Sequence, residues 1–483
     1  MVSLRLLSCF QSAKRASMRD RSDRRVGGLK KSLLVAVFLP AIIGLSTATH
    51  AQVIQGNSND FWSQSTLTGD WGGLRSQLER SGVTFTFNYT AELLANVRGG
   101  IRRGSVINGL FQPQLDADLE KLWGWSGAKF RASAVITHGP GLTGGYVGNL
   151  ATISNIEAGP IARMYELWYE QNAFNERFSV RAGLMTADSE FTTSETASTF
   201  MNNTFGWNSL LSYNLPAGGP AYPIPAPGAR VRVKAADDLY LQAAVFSGDP
   251  SGGNGSNQGG DFPTGTVFSF SGGAFLIGEL GYTPNQGKNV EGLPGAYKLG
   301  AWYHTSSRFG DQRFDNTGVS LADPLSTGMP FEHKGSWGVY GVIDQMLYRV
   351  PGTEDQGLSG FVRAFGSPSD RNLIDYYLDA GLVYAGLIRG RPNDKVGIAV
   401  SHAKIGDRAR ALDRDLGFFS GFFYPIRSAE SLIELTYRAK LAPWWTLQSD
   451  LQYVIRPSGG VLNDDGSLRR NAWVLGFRSV IGL

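Results

Sequence analysis

Apolar and polar residues alternate one by one along much of this chain. In residues 83–93, Val83, Phe85, Phe87, Tyr89, Ala91 and Leu93 interleave with Thr84, Thr86, Asn88, Thr90 and Glu92, so a strand here has one apolar and one polar face. The same rule sets Phe111, Leu115, Ala117 and Leu119 against Gln112, Gln114, Asp116 and Asp118, and Leu447, Leu451 and Tyr453 against Gln448, Asp450 and Gln452. Alternation alone also fits a soluble sandwich whose polar face meets water. Strand number and connection length separate the two. The pattern predicts strands near 83–97, 107–121, 127–138, 163–172, 177–186, 227–235, 238–247 and 270–283. It continues with 296–306, 336–349, 357–366, 373–387, 394–403, 429–441, 445–456 and 471–483. That is an even number, and many have the roughly 9–11 residues that a tilted strand needs to cross a bilayer. Odd-to-even connections include the long, Gly- and Pro-rich segments 187–226, 248–269, 307–335 and 404–428, whereas even-to-odd ones include the tight turns WGWSG, AFNE, AADD and APW. Loops sorted by length to the two ends are the asymmetry of an outer-membrane barrel. The expected fold class is all-β, a transmembrane antiparallel β-barrel of sixteen strands spanning 83–483.

The ends of the chain refine this picture. In the last strand Trp473, Leu475, Phe477, Ile481 and Leu483 share a face opposite Arg478, which suits both the closing edge of a barrel and an address for the outer-membrane assembly machinery. Ahead of the first strand, TGDWGGLRSQLERSGV reads as a short helix: Thr68 or Asp70 can cap it, Trp71, Leu74 and Leu78 recur at helical spacing, and Gly82 can end it. One such stripe cannot fold alone, so it should pack at the periplasmic mouth or on the barrel wall. Further upstream, Arg24, Arg25, Lys30 and Lys31 precede the apolar stretch Ser32 to Ser46, followed by Ala48 and Ala51. This is the layout of a cleavable export signal, and the stretch is shorter than the ~20 residues a membrane span needs. The expected division is a signal peptide over 1–51, an N-terminal periplasmic helical segment over 52–82 and the barrel over 83–483.

Charge and cysteine usage then change meaning. The pI of about 9.0 belongs to the signal: residues 52–483 hold 36 Lys and Arg against 39 Asp and Glu, so nothing points to nucleic acid. The single cysteine, Cys9, lies in the segment to be removed, leaving an exported chain without disulfides or thiol chemistry.

Several blocks resemble the carbohydrate-selective porins of the OprB type. They are LTGDWGGLR (67–75) running into GVTFTFNYTAEL (82–93), YELWYEQ (165–171), SVRAGL (179–184), VFSGDP (245–250), GELGY (278–282), YKLGAWYHT (297–305), SPSDRN (367–372) and the strand holding Gln452 and Tyr453. They cover most of the chain from about residue 61 onward, in the family's order. The resemblance implies a sixteen-stranded outer-membrane porin for passive diffusion of glucose and similar sugars. The chain departs from the pattern at Leu483, where most such barrels carry phenylalanine, a difference that bears on assembly efficiency.

A pore for sugars needs aromatic surface for the ring and charged hydrogen-bonding groups for the hydroxyls. In MYELWYEQ the strand phase puts Glu166, Trp168 and Glu170 together, and the short AFNE turn makes Arg181 their neighbour. This cluster is the first candidate contact; a structural ion pair with Trp168 in the outer aromatic girdle is the competing reading. Further basic residues share the inward phase: Lys129 and Arg131; Arg230, Arg232 and Lys234; Arg363; and Arg478. Balancing acids stand at Asp116, Asp118, Glu279, Glu434 and Asp450, which by themselves could serve only to hold the wall open. The longest loop, 187–226, offers Asp188, Glu190, Trp207 and Tyr213 for a constriction if it folds inward, or for a solvent-exposed lid if it does not.

An enzyme is disfavoured. Beyond the signal only His138, His304, His333 and His402 remain, and neither GxSxG nor HExxH occurs. No cofactor is expected; the expected partners are transported sugars, outer-membrane lipid and the assembly machinery. A porin for small anions is the nearest rival, because an arginine-lined pore suits anions too. A homo-oligomer fits the class, but no strand face is distinctive enough to name an interface.

Overall fold

The computed structural model describes residues 61–251, 264–266, 268–287 and 290–483. The export signal read in 1–51, its cleavage point and residues 52–60 of the N-terminal segment lie outside the described residues. In chain order the strands are β1 Val83–Gly100, β2 Gly104–Asp118, β3 Ala128–His138, β4 Ile161–Ala173, β5 Phe178–Met185, β6 Ala226–Lys234, β7 Leu239–Ser247 and β8 Ala274–Tyr282. There follow β9 Gly295–His304, β10 Phe309–Asp315, β11 Pro330–His333, β12 Ser336–Arg349, β13 Gly357–Gly366, β14 Ile374–Ala385, β15 Lys395–Ile405, β16 Ala429–Ala442, β17 Trp445–Ile455 and β18 Arg470–Gly482. Strands β10 and β11 form a separate hairpin; the other sixteen close into one antiparallel barrel, in which β9 pairs with β12 and β1 closes on β18 with Leu93 opposite Phe477.

The outward face carries an apolar belt. Leu93, Leu241, Leu299, Ile343 and Leu475 are exposed at mid-strand, Leu299 by 67%. Such a contiguous surface is at rest in hydrocarbon and not in water. Aromatic rings flank the belt: Tyr282 stacks on Tyr297 (6.2 Å) at the short-turn end, and Tyr453 on Trp473 (4.4 Å) at the long-loop end. Two girdles bounding an apolar band are the signature of a transmembrane barrel.

Several elements differ from the expected ones, among them the hairpin β10–β11, which lies within 307–335, read as a loop. The strand read over 107–121 stops at Asp118, whose carboxylate accepts the backbone N–H groups of Glu120 and Lys121 and starts a short helix, α2 Leu119–Trp123. The segment 404–428, read as a loop, contains a helix of fourteen residues.

The N-terminal helix forms as α1 Leu74–Ser81, after a turn in which the Asp70 carboxylate accepts the N–H and hydroxyl of Ser76, both at 2.8 Å. Gly82 ends it with φ +99°, where a Cβ would lie 2.8 Å from the Asp118 carbonyl oxygen. The segment clasps the closing seam. Leu67 N–H donates to the Gly482 carbonyl (2.8 Å), and Arg75 donates to the Leu483 carbonyl (2.9 Å) while lying 4.2 Å over the Trp71 ring. Trp62 stacks on Trp444, which stacks on Trp445. Arg75→Ala is expected to remove about 1.5–3 kcal/mol of seam stability, the range for hydrogen bonds from a charged group. A lower temperature for the folded-to-unfolded mobility shift on unboiled gels would show it.

The lumen is partly filled. The segments 139–160 and 186–225 fold inward, and the wall facing them supplies their hydrogen bonds. Glu430 accepts the N–H groups of Leu150 and Ala151, and Glu434 accepts that of Asn202 at 3.0 Å. Gln452 donates to the Ile153 carbonyl and accepts from the Asn202 amide; Gln448 donates to the Thr199 carbonyl. Backbone that leaves water must find such partners. Beneath the longer segment, Phe200, Phe205, Phe361 and Leu432 join one buried cluster, while Leu210, Leu211 and Phe365 join another. Short helix α3, Ser209–Asn214, lies in this segment, and α4, Asp407–Ser420, crosses to β10, where Arg313 pairs with Asp415 at 2.8 Å.

Candidate functional site

A dense cluster of ion pairs in the lumen is built by β4, β5, β6 and the inward segment after β5. Strands β4 and β5 are joined by a turn in which Phe174, Asn175 and Glu176 all take left-handed backbone conformations, tight enough to pair Glu170 with Arg181. Arg181 in turn pairs with Arg230 on β6. Two like charges side by side require counter-ions, and two carboxylates supply them. Glu170 takes Arg181 (2.8 Å) and Arg230 (2.6 Å); Glu190, from the inward segment, takes Arg230 (2.7 Å) and Arg181. The result is a closed quartet of zero net charge, fixing the loop to the wall. Beside it, Arg131 pairs with Asp116 (2.7 Å) and lies 3.7 Å from Glu166.

The quartet borders a cavity of about 1450 Å³ that reaches the short turns at 283–294, 352–355 and 392–393. Of the residues singled out from sequence, Arg131, Glu166, Arg181, Glu190, Arg230 and Arg232 border this cavity. Trp168, Glu170 and Asp188 are not part of its lining. Trp168 faces inward, away from the lipid-side girdle, but is only 5% exposed, with the Arg181 guanidinium 3.8 Å from its ring centroid and that of Arg131 at 5.1 Å. Its indole N–H donates to Glu166 at 3.2 Å. It props the two arginines and does not offer the open ring face expected from its strand phase. Opposite it stands Gly183 at φ +143°, where a Cβ would meet the Leu167 carbonyl oxygen at 2.2 Å, so only glycine fits against the indole's strand. Glu170 is buried within the quartet. Asp188 accepts the Tyr222 N–H at 3.0 Å, and burial pushes its carboxyl above the ordinary carboxylate range despite that bond. Of the two aromatics considered for the constriction, Trp207 is buried and donates to the Gly218 carbonyl, and Tyr213 is exposed.

Other polar positions on the inward phase have a different role from the one their spacing suggested. Arg363 does not line open lumen: its side chain is fully buried, paired with Asp379 and donating to the carbonyls of Thr192, Thr204 and Gly206. Glu279 accepts the Thr192 N–H, and Asp344, which sequence reasoning passed over, accepts the Thr196 N–H. These residues hold the constricting segment in place.

A closed barrel with a lipid-facing belt, two aromatic girdles and a lumen narrowed by an inward loop has the architecture of a porin. The profile of the carbohydrate-selective porin family, OprB, matches residues 103–483. Porin B of Pseudomonas aeruginosa is 28% identical over 459 residues, 89% of this chain and 94% of that protein. A high-pH structure of Pseudomonas putida OprB superposes with a TM-score of 0.78 at 26% identity, covering 88% of this chain and all of that one. A low-pH structure of Pseudomonas putida OprB aligns with a TM-score of 0.54 at 19% identity, covering 87% and 99%, and shares the fold. The chain belongs to the carbohydrate-selective porin family, OprB. It is a sugar-selective porin of the outer membrane.

Proposed function

We propose that glucose and similar sugars cross at the quartet, reaching it from the long-loop side and leaving through the cavity beyond. The observation that carries this reading is the quartet itself. Arg181 and Arg230 supply donors, Glu170 and Glu190 supply acceptors, and their charges cancel. A sugar hydroxyl both donates and accepts, so it can exchange with water along such a lining without being trapped, as a pore requires. Trp168 serves as the base that keeps Arg181 in position, and Asp116, Arg131 and Glu166 extend the track.

We further propose that a cleavable signal over 1–51 directs export, that 52–82 forms a periplasmic segment, and that the assembly machinery delivers 83–483 into the outer membrane, with lipid around the belt. Arg181→Gln tests the site. In planar bilayers glucose should lower the ion current of the unaltered channel, and the variant should need several-fold more glucose for the same block, since one polar contact contributes about 0.5–1.5 kcal/mol. Equal block in both channels would remove the quartet from the sugar path.

A further inference from the structure

The wall next to the quartet is charged differently. On β6, Arg232 lies 4.0 Å over the ring of Tyr240, and its Nε is buried without a hydrogen-bond partner. On β9, Lys298 donates to the Thr193 carbonyl (2.8 Å) and forms no ion pair among the described residues. Both border the cavity. The nearest wall carboxylates are already engaged: Glu279 accepts from Thr192, Tyr240, Gln242 and Tyr340, and Asp344 from Ser194 and Thr196. The remaining acids on the cavity are exposed, Glu195 on the inward loop and Glu354 and Asp355 on a short turn. Arg131, Arg181 and Arg230 are each held in ion pairs, whereas Arg232 and Lys298 form none among the described residues.

We propose that Arg232 and Lys298 form a carboxylate-holding subsite, and that the channel passes monosaccharides bearing a carboxylate, of the aldonic or uronic acid class, besides neutral sugars. This rests on the sugar-porin reading and names a substrate class within it. An acidic sugar keeps the hydroxyls that the quartet can exchange. Its carboxylate then meets a planar guanidinium fork that can donate two parallel hydrogen bonds, with an ammonium as a second point charge. Water fills the cavity and mobile ions screen the pair, which keeps the hold weak enough for release.

The test is liposome swelling with glucuronate and glucose, each measured on vesicles carrying the full-length channel. In the unaltered protein glucuronate should enter at least as fast as glucose. Arg232→Gln should lower the glucuronate-to-glucose ratio about fivefold, and Arg232→Lys should restore part of it. Lys298→Gln should lower the ratio as well; because Lys298 also tethers Thr193, a concurrent rise in glucose entry would mark loop loosening and is removed by taking the ratio. Exclusion of glucuronate by the unaltered channel, or a ratio unmoved by Arg232→Gln, overturns the subsite while glucose entry leaves the porin reading standing. Failure of both sugars to enter overturns both.

Discussion

Arg363→Met is expected to widen the channel and weaken the barrel together. The guanidinium has no exposure to solvent, pairs with the equally buried Asp379, and donates to three carbonyls of the inward segment, those of Thr192, Thr204 and Gly206. Methionine matches much of the volume and none of the hydrogen bonds. It leaves Asp379 as a buried carboxylate without its charged partner, still accepting from the Tyr377 hydroxyl at 2.8 Å, and it strips the loop of its anchor on β13. Removing one partner of a buried ion pair costs about 3–5 kcal/mol. The loss should appear as a lower temperature for the gel mobility shift and as larger single-channel conductance. Pairing it with Asp379→Leu should recover stability, because no uncompensated charge remains, but not the narrow conductance, because the carbonyls still lack a donor. A single variant with unchanged stability and conductance would show that the loop is held elsewhere.

The second large effect concerns the belt. Leu475 lies at mid-strand on β18, about half exposed, opposite Leu451 on β17 and Ala95 on β1. Leu475→Arg sets a charge against hydrocarbon and should cost about 2–4 kcal/mol near the bilayer midplane. Gln114 on β2 provides the control, since it faces inward and is bonded only to Asp116 (2.6 Å). Gln114→Arg should therefore assemble as well as the unaltered chain. Yield in the outer-membrane fraction separates them; equal yields would reverse the assignment of the two faces.

The barrel was legible because lipid on one side and a polar lumen on the other impose a period of two, and residues such as Val83 to Leu93 obey it without exception. Loop length then separated the two ends. What fills the lumen was not legible, because an inward Glu434 or Gln452 has the same phase whether it meets water or the backbone of a loop. A signal did exist. Inward positions of β13 and β16 to β18 include Phe361, Phe365, Leu432, Val454 and Val474, all buried, and a wall facing open water would not carry them. Apolar residues on both faces of those strands mark the wall that the inward segments cover. For the same reason the inward phase of Trp168 was readable but its coverage by Arg181 was not, since that depends on Gly183 giving way across the ladder. Helix α4 escaped notice because its length was hidden in a long connection, although Asp407 to Leu416 contains no glycine or proline.

This constriction is expected to pass sugars in preference to other solutes of their size. Swelling of liposomes carrying the unaltered protein, in a panel of neutral sugars and neutral amino acids matched in size, tests it most directly. Hexoses are expected to enter several-fold faster than the matched amino acids. Equal rates across the panel, or rates ordered by size alone, would contradict it.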